Sequence, residues 1–346
     1  MTYFRDMDVL RFYAASVVAL EHWSEFLGFD GPDLAKYGVY LFFTISGFLI
    51  TSILLSYREK YKSGRYFGLF YLRRIFRIVP IYYLYITLFV VLGQFGYFYC
   101  KDVDFTFYYL YLSNFHILMN GMDCVVLNHS WSLAVEEQFY LLWPLVLMVI
   151  PRKRLQAFLL LSLGLLIILK NTIFLQIHPP FLNPFFNFDF IIVGAFLALN
   201  QLTIRKFVDA IGPWPWIPII VFIIALSLKQ IPSVVPVDFV FLIVCFFLVQ
   251  YSISGFKKSV ISKIFANELF VTIGKWSYGF YLYHKGVPYL LKPILTRFDI
   301  SFSPYLMFFL FLLITLTISY ISFNTVEWYF TGVKNRLSSR INARHV

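Results

Sequence analysis

Long apolar runs separated by short polar, base-rich stretches set the pattern of this chain. A helix needs about 20 apolar residues to cross a bilayer. Read in windows of that length, the sequence predicts spans over Asp8 to Leu27, Tyr37 to Tyr57, Ile78 to Tyr97, Trp131 to Ile150 and Ala157 to Ile177. Further spans follow over Phe188 to Leu202, Trp214 to Gln230, Val237 to Ile253, Val271 to Leu291 and Pro304 to Trp328. The expected fold class is therefore all-α, a polytopic membrane protein of about ten transmembrane helices.

Composition agrees: 60% of the 346 residues are hydrophobic and 14% are charged, too little charge to cover a water-facing surface. The formal charge of +11 raises nucleic acid as a partner, but its distribution reads as topology. With the N-terminus inside, the inner segments gather Arg5, the Arg58 to Arg77 loop, Arg152, Lys153, Arg154, Arg205, Lys206, Lys257, Lys258 and Lys263, and a tail with Lys334, Arg336, Arg340 and Arg344. Outer segments hold only Lys36, Lys101, Lys229, Lys292 and Arg297. The positive-inside rule thus places both termini in the cytoplasm. The first apolar stretch carries Arg11, Glu21 and His22 and lacks a small-residue cleavage site, so it is expected to stay as a span. One transmembrane domain over residues 1–333 and a basic cytoplasmic tail over 334–346 are expected.

The outer segment from Phe98 to Ser130 is longer than topology requires, and its run Phe105 to Leu118 reads as a short re-entrant or interfacial helix. Cys100 and Cys124 fall in this segment, where an oxidising compartment permits a disulfide. Asn128, His129 and Ser130 match the glycosylation acceptor pattern.

Charged groups within spans are costly and mark cavities or partners. Arg11 and His22 are eleven residues apart, about three helical turns, so they project from one face about 16 Å apart along the axis. A cation at the inner mouth suits a phosphate-bearing donor, and an imidazole at depth suits proton transfer. A snorkelling Arg and a packed His fit the same pattern. Arg73, Arg74 and Arg77 lie within one turn of each other at the third-span entrance and form a grip for an anion, or serve topology alone. Glu136 and Glu137 enter the fourth span side by side; one of them can orient an imidazole, or both complement a helix N-terminus. Asp189, Lys275, His284, Lys285 and Glu327 are further candidates. His116, His129 and His178 have no Cys or carboxylate at ligand spacing, so no metal site is expected.

These residues resemble the acyltransferase 3 family, bacterial membrane proteins that move acyl groups, usually acetyl, from the cytoplasm onto surface polysaccharides and other acceptors. The likeness runs from about Asp6 to Lys334. It rests on the Arg11 and His22 spacing, the Gly38 to Thr51 helix, Arg74 and Arg77, the Trp131 to Pro144 run, the Ser277-Tyr278 to His284 segment and Glu327. Where the family often has Asp this chain has Tyr40, and where it has an aromatic-Pro pair after the histidine this chain has Lys285-Gly286.

The resemblance implies that His22 is the catalytic histidine, Arg11 its partner in the donor site, and Arg74 and Arg77, with Arg73 beside them, part of an acyl-CoA contact. The expected activity is transfer of an acyl group, acetyl first, from cytoplasmic acyl-CoA to a hydroxyl of a surface or lipid-linked polysaccharide such as O-antigen or exopolysaccharide. His22 is then the general base and Glu136 the first-choice carboxylate beside it. No permanently bound cofactor is expected; acyl-CoA is the donor substrate and a glycan the acceptor. The implied location is the bacterial inner membrane. Many members carry an additional C-terminal esterase-like domain, and the short basic tail is expected to leave the acceptor to the membrane domain. The rival reading is a polysaccharide or small-solute transporter or flippase, which also keeps ionisable groups at depth.

Overall fold

The computed structural model describes residues 3–29, 34–97, 100, 103–172, 182–211, 216–227, 237–254 and 267–343. Expectations resting on Lys101, His178, Lys229, Lys257, Lys258, Lys263 and Arg344 lie outside them. Among the described residues the architecture is helical, and the only β feature is an isolated bridge between Cys100 and Cys124. In chain order the helices are α1 (Arg5–Phe26), α2 (Ala35–Lys60), α3 (Ser63–Gln94), α4 (Phe105–Tyr109), α5 (Ser113–Asn120), α6 (Trp131–Val149), α7 (Arg152–Asn171) and α8 (Phe188–Leu199). They continue as α9 (Gln201–Ile211), α10 (Trp216–Ser227), α11 (Val237–Ser254), α12 (Glu268–Lys275), α13 (Ser277–Tyr283), α14 (Gly286–Arg297), α15 (Pro304–Ser322) and α16 (Trp328–Ala343).

Among the described residues, four helical stretches are long and apolar enough to cross a membrane: Ala35–Lys60, Ser63–Gln94, Asn128–Val149 and Pro304–Ile341. They contain most or all of the expected second, third, fourth and tenth spans, and the protein is a multi-pass membrane protein. The expected sixth and eighth spans fall on shorter apolar helices, Phe188–Leu199 and Val237–Ile253, and the fifth and seventh lie partly outside the described residues. The first falls on α1, which carries Asp6, Asp8, Arg11, Glu21 and Glu25 within its 22 residues. The expected ninth span is three helices, α12 to α14, and not one. At the second break the cause is local: Pro288 has no N–H to give the carbonyl of His284, four residues earlier.

The chain divides into two compact units. The first comprises residues 1–14, 36–55 and 150–275. Here α8 packs against α7 and α11, and α11 packs against α10. Glycines set the closeness of α2 and α8, because a Cβ on Gly47 would meet the Ile191 carbonyl oxygen at 2.0 Å and one on Gly194 the Thr44 oxygen at 2.0 Å. Such small-residue contacts are how helices approach closely in lipid. Lys170 and the candidate Asp189 form a buried ion pair of 2.5 Å in this unit. Each charge thereby finds its partner in the apolar interior.

The second unit comprises residues 15–35, 56–149 and 276–346. α3 packs along α16, which runs unbroken through residue 334, the expected start of the tail. Tyrosine hydroxyls of α3 hold the outer segment by its carbonyls: Tyr82 donates to Tyr108, Tyr83 to Tyr109 and Tyr85 to Val126, all at 2.7 to 2.9 Å. The run Phe105 to Leu118 is helical as expected, but as two short helices, α4 and α5. Asp104 caps α4 by accepting from the Thr106 amide, and those bonds hold its carboxyl below the usual range. Cys100 and Cys124 form a disulfide. Asn128 and Ser130 are buried, so the glycosylation reading fails: an acceptor side chain must reach solvent.

Candidate active site

His22 sits near the end of α1, beside the buried indole of Trp23. Trp23 is 1% exposed and is walled by the rings of Phe280, Phe308 and Phe311. Its indole N–H donates to the His284 carbonyl at 2.8 Å. That is the carbonyl that Pro288 cannot serve, so the broken helix is repaired by a side chain from α1. The same contact fixes the turn on which His284 stands.

His22 and His284 meet through Nδ1 and Nε2 at 2.8 Å, with the rings stacked 5.1 Å apart and 8° from parallel. His284 Nδ1 lies 2.5 Å from the Tyr281 carbonyl oxygen, which can only accept. His284 therefore carries its hydrogen on Nδ1, and in the neutral pair its Nε2 accepts from His22 Nδ1. His22 Nε2 is left bare. The chain from Tyr281 through His284 thus selects the tautomer that makes His22 a base at Nε2.

A third imidazole completes the group. His129 stands with its ring 5.2 Å from that of His284, and its Nε2 lies 3.0 Å from the Leu282 carbonyl oxygen, to which it donates. Tyr281 supports both: its hydroxyl is 2.6 Å from Ser132 Oγ and donates to the His129 carbonyl at 3.3 Å. The cluster offers no set of His, Cys, Asp or Glu residues arranged to hold a metal among the described residues.

His22 lines a cavity of about 150 Å³ with Trp23, Glu25, Phe26, Val125, Lys285, Pro288 and Tyr289. Aromatic faces mixed with charged groups suit a polar, hydroxyl-bearing molecule. Glu21 does not join it; its carboxylate accepts from the Leu34 and Ala35 amides and so caps α2.

The remaining expected site residues lie elsewhere. Arg11 pairs with Asp8 at 3.2 Å, and Asp8 also accepts from the Tyr3 hydroxyl at 2.5 Å. Arg11 is thus a partnered cation, a pairing legible in its three-residue offset from Asp8. Arg73 stacks on Tyr57, and Arg74 on Phe70 and Tyr140. Glu136 accepts from the Tyr140 hydroxyl at 3.2 Å, while Glu137 is in electrostatic reach of Arg74, and Glu327 of Arg77. Lys334 of α16 faces Arg73, Arg74 and Arg77 together. The structure therefore gathers the third-span arginines with Lys334 and Glu137, and brings His22 together with His284.

The acyltransferase 3 family model, described as an acyltransferase domain, matches residues 4–323. The peptidoglycan O-acetyltransferase OatA of Listeria monocytogenes is 28% identical over 326 residues, which cover 85% of this chain and 50% of that protein. The O-acetyltransferase OatA of Staphylococcus aureus is 32% identical over 201 residues, 48% of this chain and 30% of the relative. The chain thus spans half or less of the length of these curated relatives. No solved structure matches. The motifs on α1, α6 and α13 fall inside the matched region, and the chain belongs to the acyltransferase 3 family.

Proposed function

We propose that the protein is a membrane O-acyltransferase that carries an acetyl group from cytoplasmic acyl-CoA to a hydroxyl of a cell-surface glycan. The observation that carries this reading is the hydrogen-bond chain from the Tyr281 carbonyl through His284 to His22, which leaves a basic nitrogen on a residue lining a polar cavity. Acyl transfer to a hydroxyl needs such a base. The names of the relatives put peptidoglycan first among acceptors to try, ahead of O-antigen or exopolysaccharide.

In this reading the acceptor hydroxyl gives its proton to His22 Nε2 as its oxygen attacks the thioester carbon. The imidazolium that forms donates through Nδ1 to His284, which takes the orienting place that a carboxylate has in a triad. Arg73, Arg74, Arg77 and Lys334 grip the phosphates of the donor, and Glu136 and Glu137 tune that grip from α6. The protein acts from the inner membrane with both termini cytoplasmic.

The test is acetyl transfer from acetyl-CoA to soluble glycan fragments by the full chain in detergent. Turnover that requires His22 supports the reading, and a folded His22→Ala variant with full activity refutes it.

A further inference from the structure

The cavity beside His22 contains one cation to which acyl transfer by His22 alone gives no task. Lys285 lines it, one residue after His284 and immediately before α14. It makes no hydrogen bond or ion pair with any described residue. Glu25, on the same cavity, and Glu21 supply countercharge without bonding to it. A cation with no directly bonded partner, partly withdrawn from water, is costly to keep. Trp23 also lines the cavity, but its N–H is committed to the His284 carbonyl. The side-chain donors left there for a ligand are the Lys285 ammonium and the Tyr289 hydroxyl.

Resting on the acyl-transfer reading, we propose that Lys285 is a catalytic residue that donates to the oxyanion formed beside His22. Attack of the acceptor oxygen forms a C–O bond and moves the carbonyl π pair onto the carbonyl oxygen, while the acceptor proton passes to His22 Nε2. The ammonium of Lys285 holds that oxyanion. Its collapse restores the C=O bond and expels the thiolate of the donor, which takes the proton from His22. Ester and free thiol leave, and Lys285 is unchanged. A positive charge placed where negative charge develops, in a site poor in water, acts more strongly than it would in bulk solvent.

The experiment uses the full chain in detergent with acetyl-CoA and chitopentaose as probes. In Lys285→Ala the expected result is a fall in kcat of about 100-fold or more, with acetyl-CoA affinity retained. Ethylammonium added to that variant should recover at least about tenfold of the loss, because it returns the missing donor, and Lys285→Arg should keep part of the activity. A kcat within about threefold of wild type overturns the assignment, as does a loss that ethylammonium does not lift while acetyl-CoA still binds. If Lys285→Ala does not fold, Lys285→Gln replaces it: a lower kcat at unchanged KM supports the assignment and an unchanged kcat overturns it. The reading beneath is tested separately, since a wild type without His22-dependent acetyl-CoA consumption sinks the acyl-transfer reading and this assignment with it.

Discussion

His22 Nδ1 and His284 Nε2 lie 2.8 Å apart although 262 positions separate them in the chain. The contact joins the end of α1 to a turn held by a carbonyl on one side and an indole on the other. It makes His284 a positioning residue for His22. Replacing His284 by Phe should lower kcat by about 100-fold or more and leave acetyl-CoA affinity unchanged. His284→Gln, which can still accept at its amide oxygen, should retain more activity than Phe. Equal activity in all three proteins would show that the imidazole pair does not matter to the chemistry.

Trp23→Phe isolates the repair of the broken helix. The ring stays, but the buried His284 carbonyl loses its donor, which should cost about 1–3 kcal/mol. Thermal unfolding in detergent measures this, and transfer should fall with it because the His284 turn loosens. A variant with wild-type Tm would mean that another donor serves that carbonyl.

The arginine group on α3 should act on donor binding. Arg74→Gln and Arg77→Gln should raise KM for acetyl-CoA and change kcat less, with the difference shrinking as salt rises. A fall in kcat at constant KM would remove these residues from the phosphate contact.

Cys100 and Cys124 close a loop with a sequence separation of 24. Opening it by Cys124→Ser should lower stability by about 3 kcal/mol, read as a lower Tm that reducing agent no longer changes.

Gly194→Val should be among the most damaging substitutions in the first unit, since the new Cβ would lie 2.0 Å from the Thr44 carbonyl. Overpacking costs about 1–3 kcal/mol where neighbours can yield, and a backbone carbonyl yields little. Loss of folded protein in size-exclusion chromatography is the expected outcome, and a monodisperse variant would contradict the close α2–α8 contact.

Much of this was legible in the chain. Apolar length located α2, α3, α6 and α15, because lipid demands unbroken runs of intrahelical hydrogen bonds. The motif around Ser277 to His284 named one imidazole and the Arg11 spacing named the other. Their partnership was not legible, because helical periodicity says which face a residue occupies and nothing about which distant helix meets it. His129 was passed over for the same reason: it has no ligand at local spacing, and its neighbours come from α13. Pro288 was the one local signal for the break in the expected ninth span, since a proline four residues after His284 must leave that carbonyl without its helical donor. The Asp8 and Arg11 pair was also readable from spacing alone.

The most direct test is acetyl transfer from radiolabelled acetyl-CoA by the purified full chain, with wild type and His22→Ala compared at equal acetyl-CoA occupancy. The account predicts His22-dependent turnover in the wild type and a loss of about 100-fold or more in the variant, whose donor affinity stays the same. Equal turnover in both would contradict the role of His22 as the base.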